Sequence, residues 1–401
     1  GMGVLLVWPT KWPQYTLTLI PALCLSASEI IKLVFHRVKE FNDYWNWTSD
    51  NVMRVPKLFW WAVGIIALAL LGGKVVYEVQ VAFARQGWVL VTSETSPLGS
   101  NTVNDLEALD DGRMAIATSN GVSFWMPNQD APWGESSVWY SVENSGLIGN
   151  QVADLLEASD GSWWFATDQG ISHLTGKTWK SYDANDLDLP ASSVLSLAED
   201  SLGRIWAASV NGVSLFDGKT WQAAKQTETD GKGLTAFSVA VQRLPEGDVI
   251  WFGTMDGAAR LDLGSGEWQV DAFGSETSHW GGVVDVMVDA HQRVWASSLG
   301  GGLARWDGEE WMVFRTSTSK IPYNTVNLIA ELETDRYWVG MAYPVGNGGA
   351  LAQFDGLTWT EFTHLNSGYD NYEVLGLARD IRGWIWIGTR TNGLLIYQPK
   401  K

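Results

Sequence analysis

Three aspartates, Asp105, Asp154 and Asp285, each stand two residues after a valine that opens a recurring segment. Carboxylates at one register on neighbouring strands lie at similar depth about a common axis, where oxygen atoms gather a cation or a basic side chain. The counterparts in the other segments, Ser196, Val241, Leu328 and Gly376, add no carboxylate. No complete oxygen cage follows, and solvated acids lining a channel are the expectation. A second group is aromatic and imidazole: His279, Trp280, Tyr323, Tyr343, His364, Tyr369 and Tyr372. Rings gathered on one sector stack on a sugar or an apolar ligand, or seat a partner's side chain. The competing reading is that each ring packs inside its own loop. His279 and His364, with Glu373 close to the second in sequence, are also the types that general acid–base chemistry needs. No nucleophile motif accompanies them and no Cys or His spacing suits a metal. The expectation is therefore no catalytic residue, no metal and no cofactor.

A repeat positions these residues. The valines are Val103, Val152, Val194, Val239, Val283, Val326 and Val374, and twelve residues later stand Trp164, Trp206, Trp251, Trp295, Trp338 and Trp386, with Ala115 as the one departure. Successive valines are 42 to 49 residues apart, the period of a four-stranded propeller blade. Each segment runs through W-x-[AGS]-[TS], as in Trp251-Phe-Gly-Thr254, then a glycine such as Gly170, Gly257 or Gly393, and in three cases a D-G-x-x-W turn ending at Trp221, Trp311 or Trp359. Glycine at such turns reaches positive φ without strain, and the small residue two after the Trp lets neighbouring blades approach.

The seventh segment ends at Tyr397 without an outer strand or terminal Trp. Trp88 supplies the missing piece. It stands fifteen residues before Val103, the interval that also separates Trp179 from Val194, Trp268 from Val283, Trp311 from Val326 and Trp359 from Val374. The N-terminal strand is thus expected to complete the last blade and to close the ring, removing an open sheet edge. The predicted fold is all-β, a seven-bladed β-propeller over residues 86–401 preceded by a transmembrane or signal-anchor helix.

Composition agrees. Among 401 residues there are 25 Trp and 42 Gly, with only 18% charged, a mix suited to short, tightly turned strands. Residues 1–85 carry a net +3, so the total of -18 leaves -21 on residues 86–401. A domain that acidic repels phosphate, which argues against nucleic acid as a partner. The single cysteine, Cys24, lies outside it, so the predicted propeller has no disulfide framework, and Leu23 before Cys24 does not suit lipidation.

Residues 58–77 form an apolar stretch interrupted only by Lys74, just long enough for a tilted membrane span. Arg54 and Lys57 precede it directly, which places the N-terminus inside and the acidic part outside. Residues 53–85 read as a retained anchor, or as a signal cleaved after Ala84 in Ala82-Phe83-Ala84. Residues 1–52 read as a cytoplasmic or interfacial segment, or as an upstream extension ahead of a natural start at Met53.

The segments 380–397, DIRGWIWIGTRTNGLLIY, and 160–174, DGSWWFATDQGISHL, with SLGRIWAASVNGVSLFDG from Ser201, resemble the two-component-regulator propeller repeat. That resemblance implies an extracytoplasmic ligand-sensing propeller of a bacterial signalling protein, here without a kinase or output domain after Lys401. Loops joining an outer strand to the next inner strand, with those between second and third strands, share one mouth of such a ring, where ligands bind. The aromatic set falls on that mouth in blades 5 to 7, Tyr343 coming from an inserted loop, 341–349; blades 1 to 3 offer Asn101, Asn150 and Ser192. The expected role is a membrane-anchored recognition module for a small molecule, a glycan or a membrane-protein partner. One alternative is a scaffold subunit of a membrane complex, docking through the insertion at 126–139 with Trp133 on the opposite mouth. The other is a lyase, since propellers with similar repeats include the streptogramin lyases, which the resemblance equips with His and Glu at the mouth.

Overall fold

The computed structural model describes residues 87–127, 134, 137–186, 193–224, 234–271, 282–342, 348–363, 366–367, 369–370 and 372–399. These form seven four-stranded antiparallel sheets, and among them there is no helix. The apolar stretch 58–77 and residues 1–85 lie outside the described residues, and no helix among the described residues is long and apolar enough to cross a membrane.

The inner strands are Val103–Ala108, Val152–Glu157, Val194–Glu199, Ala236–Leu244, Val283–Val288, Val326–Glu333 and Val374–Arg379. Each packs on the inner strand of the next blade, and the last packs on the first. Six sheets follow chain order from inside outward. The seventh runs Val374–Arg379, Ile385–Thr389, Leu394–Tyr397, and has Trp88–Val91 as its outer strand, with Trp88 opposite Tyr397 and Val91 opposite Leu394.

Second strands such as Trp163–Thr167, Ile205–Ser209 and Ile385–Thr389 are buried at every residue. Both faces of each sheet are covered by neighbouring blades, so these segments read as continuous apolar runs without a two-residue alternation. Two glycine positions make the packing possible. Gly170 has φ +135°, and a Cβ there would lie 2.1 Å from the Tyr182 carbonyl oxygen at the end of the outer strand, so only glycine fits. Gly388, two residues after Trp386, would place a Cβ 2.9 Å from the Val103 carbonyl oxygen of the first blade, which shows why small residues follow each Trp.

In three blades the turn between the inner and second strands is organised by a buried acid. Asp380 accepts the backbone N–H groups of Arg382 and Trp384 at 2.9 and 3.0 Å, and the Trp386 indole N–H at 3.0 Å. Asp200 and Asp289 do the same for Trp206 and Trp295. In the fourth blade Gln242 takes that place, its Oε1 accepting the Trp251 indole N–H at 3.0 Å.

That blade corrects the expected register. Its inner strand opens at Ala236, opposite Thr254, as Val194 stands opposite Ser209. Val239 therefore corresponds to Leu197, and Val241 is not the counterpart of Asp154; Ser238 is. The hairpin between the inner and second strands is three residues longer here, turning at Leu244 and Gly247, so the twelve-residue interval from Val239 to Trp251 is a coincidence of spacing. The fifteen-residue interval, counted from Trp221, leads to Ala236.

Removal of the turn acid tests this scheme. Asp380→Ala leaves the buried Trp386 indole and two turn amides without their acceptor and is expected to lower unfolding free energy by about 3 kcal/mol. Chemical denaturation measures it, and a midpoint equal to that of the parent would contradict the role.

Candidate functional site

An inner strand pairs with a partner on one side only, so its other edge faces the channel with backbone groups that need partners. Side chains of the preceding blade supply them. The Leu155 N–H donates to Asp105 Oδ2 at 3.2 Å, the Leu197 N–H to Asp154 Oδ2 at 2.7 Å, and the Ile329 N–H to Asp285 Oδ2 at 3.1 Å. Ser196 plays the same part, its Oγ accepting the Val239 N–H at 3.2 Å. Two residues further along the strand Glu107 accepts the Glu157 N–H at 3.2 Å, and one residue before Asp105 the Asn104 Nδ2 donates to the Val152 carbonyl at 2.6 Å.

The three aspartates are therefore not merely solvated acids, as the sequence suggested; each is a staple between adjacent blades. They remain partly accessible along the channel, yet protein surrounds them closely. Burial pushes Asp105 up and Asp154 well up, the latter also because of the neighbouring Asp105 charge. Burial raises Asp285 to about 6. Glu107 rises to about 8, through burial first and then the Asp105 charge. Among the described residues no group of three or more His, Cys, Asp or Glu is arranged to hold a metal ion.

Of the aromatic candidates, His279, Trp280, Tyr343 and His364 lie outside the described residues, as do Ser192 and Trp133. Tyr369 is fully buried, at 0% exposure, and so does not line the mouth. Its hydroxyl donates to the Tyr372 carbonyl oxygen, and its backbone N–H donates to Ser367 Oγ at 3.2 Å. Leu98 and Leu147 hold the same place two residues after Ser96 and Ser145, and they too are buried. Tyr369 is the loop's anchor in the core, and the recurring serine was the sequence signal for it.

Tyr372 is half-buried against Trp338 and Leu377, with its ring 5.8 Å from that of Tyr369. Tyr323 is half-buried in a different cluster, around Trp295 and Ile321. The described tyrosines thus form two patches, each packed on its own blade seam. Asn101 and Asn150 are loop staples, accepting the Ser93 and Val142 N–H groups at 2.8 Å. Glu373 is bound by Arg390 at 2.6 and 2.8 Å, which commits the carboxylate that an acid–base reading would use.

The raised acids give the propeller a defined pH response. Glu107 binds a proton in the folded state up to about pH 8, whereas its ordinary value is 4.5. The folded chain thus holds protons that the unfolded chain releases, and stability falls as pH rises through that window. The loss of unfolding midpoint between pH 6 and pH 8 should shrink in Glu107→Gln; equal losses in variant and parent would reject the assignment.

Comparison with known proteins agrees with this geometry. The two component regulator propeller family matches residues 188–211, which include the inner and second strands of the third blade. No curated protein matches the sequence. Among solved structures the chain is similar to the extracellular domain of BT3049, a proposed hybrid two component system of B. thetaiotaomicron, at 15% identity and TM-score 0.61, covering 77% of this chain and 41% of that one. It is similar to virginiamycin B lyase from Staphylococcus aureus, solved with quinupristin, at 17% identity and TM-score 0.59, covering 78% and 99%. It is also similar to YCF48 bound to a D1 peptide, at 16% identity and TM-score 0.55, covering 78% and 96%. At these identities the likeness is one of fold. The chain is a seven-bladed β-propeller that carries the two component regulator propeller repeat.

Proposed function

We propose that this propeller is a recognition module displayed outside the cytoplasm, held at the membrane by residues 58–77, and that it binds its ligand at the mouth ringed by the outer-to-inner and second-to-third strand loops. The observation that carries the reading is the commitment of the throat. Asp105, Asp154 and Asp285 each accept a backbone N–H from the next blade, so the acids most suited to chemistry hold the ring together. Loops carried at the mouth of a rigid frame are where recognition sits.

The extracytoplasmic placement is supported by the two B. thetaiotaomicron extracellular propeller domains that the fold resembles and by the basic residues ahead of the apolar stretch. The strand Trp88–Val91 acts in this reading as the clasp of the ring, coupling the propeller's stability to the segment that leaves toward the anchor. Trp280, on the loop before the fifth blade, remains the ligand-stacking candidate.

The propeller sequence contains no cysteine, which makes its location directly measurable. With Cys24→Ser removing the native thiol and Lys177→Cys placed at an exposed turn, a membrane-impermeant maleimide should label the full chain in intact cells. Labelling that appears only after lysis would overturn the placement. For recognition, a thermal-shift screen of glycans and small metabolites should yield a ligand whose shift disappears in Trp280→Ala at an unchanged ligand-free midpoint; a shift retained in that variant would remove Trp280 from the site.

A further inference from the structure

One position around the mouth changes character systematically. The residue directly after the W-x-[AGS]-[TS] strand, or its equivalent, is Ser119, Asp168, Val210, Met255, Leu299, Ala342 and Arg390 in blades 1 to 7. Four consecutive blades, 3 to 6, place an apolar residue there, while blades 7, 1 and 2 place polar ones. Val210, Met255 and Leu299 are 40%, 58% and 40% exposed, high for apolar side chains on three adjacent blades.

The backbone holds these residues next to the channel. The Thr235 hydroxyl donates to the Val210 carbonyl at 3.0 Å, and Thr235 precedes the fourth inner strand. A Cβ on Gly282, which precedes the fifth inner strand, would lie 3.1 Å from Met255 Cα. The Leu299 N–H donates to the Gly282 carbonyl at 3.4 Å, and Leu299 pairs with Thr325 ahead of the sixth inner strand. Met255 and Leu299 thus share Gly282 as a neighbour. The arc is continuous along the inner rim and lies above the throat.

Charge selects the occupant. Loops of the same mouth carry Asp168, Asp183, Asp186, Asp256 and Asp370, against Arg315, Lys320 and Arg390, the last paired with Glu373. Asp256 adjoins Met255 in the arc, Arg315 stands beside Leu299 with its Nε donating to the Gly301 carbonyl at 3.0 Å, and the propeller as a whole is strongly negative. We infer that the arc Val210–Met255–Leu299 is the docking surface for a protein segment that presents apolar side chains flanked by lysine or arginine. Apolar anchors fill the arc, and basic residues meet the acidic rim and raise the association rate. The inference rests on the mouth being the recognition face and narrows its partner to a basic, apolar peptide.

A random dodecamer peptide library selected on the purified full chain tests it. Peptides recovered on the parent should combine Leu, Ile or Phe with Lys or Arg, and synthetic versions should bind the triple variant Val210→Ser, Met255→Ser, Leu299→Ser about tenfold more weakly. The matched control Leu357→Ser, at 90% exposure on a turn of the opposite mouth, should bind as the parent does. Because all three arc residues are exposed, the triple variant should keep the parent's unfolding midpoint. Selection of acidic or purely polar peptides, equal binding by parent and triple variant, or no selected peptide would each overturn the inference. A dimer of the parent that the triple variant dissociates would also overturn it, by making a second copy the occupant. Equal peptide binding by parent and triple variant, beside a glycan or metabolite shift that is lost in Trp280→Ala, would reject the arc and leave the mouth as the recognition face, so the two readings fail separately.

Discussion

The constraint on which the structure depends is the unpaired edge of the inner strand. Seven sheets arranged around an axis leave seven such edges facing a narrow channel. A backbone N–H left there without an acceptor costs about 1 to 3 kcal/mol. At four of the seven seams the chain meets this with a side chain two residues into the inner strand, reaching from one blade to the edge of the next: Asp105 to Leu155, Asp154 to Leu197, Ser196 to Val239, Asp285 to Ile329. At the seam between blades 7 and 1 the device changes. Gly376 has no side chain there, and its absent Cβ would lie 3.0 Å from Asp105 Cα, so the two backbones come together directly.

This use of the acids shapes what the molecule is able to do. A carboxylate that staples two blades is positioned rigidly and desolvated, and burial drives its proton affinity up. The Oδ2 atom is held on its amide, and drawing it away to a ligand would open a blade seam. The frame and the mouth therefore divide the work. The same division appears in the loops, where Asn101, Asn150 and Tyr369 fix the backbone of the mouth before blades 1, 2 and 7.

Much of the frame was legible because it repeats. Intervals of twelve and fifteen residues located the blades, and small residues after each Trp pointed to tight blade contacts, as Gly388 against Val103 shows. The fourth blade was misaligned where a longer hairpin, closed at Leu244 and Gly247, placed Val239 at a deceptive distance from Trp251. The aspartates share one register in their strands, but their role was not readable: an acceptor for a backbone amide in the next blade depends on radial packing between residues about fifty positions apart. Tyr369 was taken for a surface ring because its chemistry suits recognition, although its place after Ser367 matches that of Leu98 after Ser96. The arc was overlooked for the opposite reason, since single valine, methionine and leucine residues in turns carry no motif until the blades are superposed.

The central claim is that throat carboxylates satisfy channel-edge amides of three inner strands. Residue-resolved hydrogen exchange measures it most directly, since it reads the Leu155, Leu197 and Ile329 amides one by one. The account predicts slow exchange at all three, comparable to amides inside the sheets, and in Asp154→Ala a selective acceleration at Leu197 with Leu155 and Ile329 unchanged. Fast exchange at these amides in the parent protein, or no change at Leu197 in the variant, would contradict it.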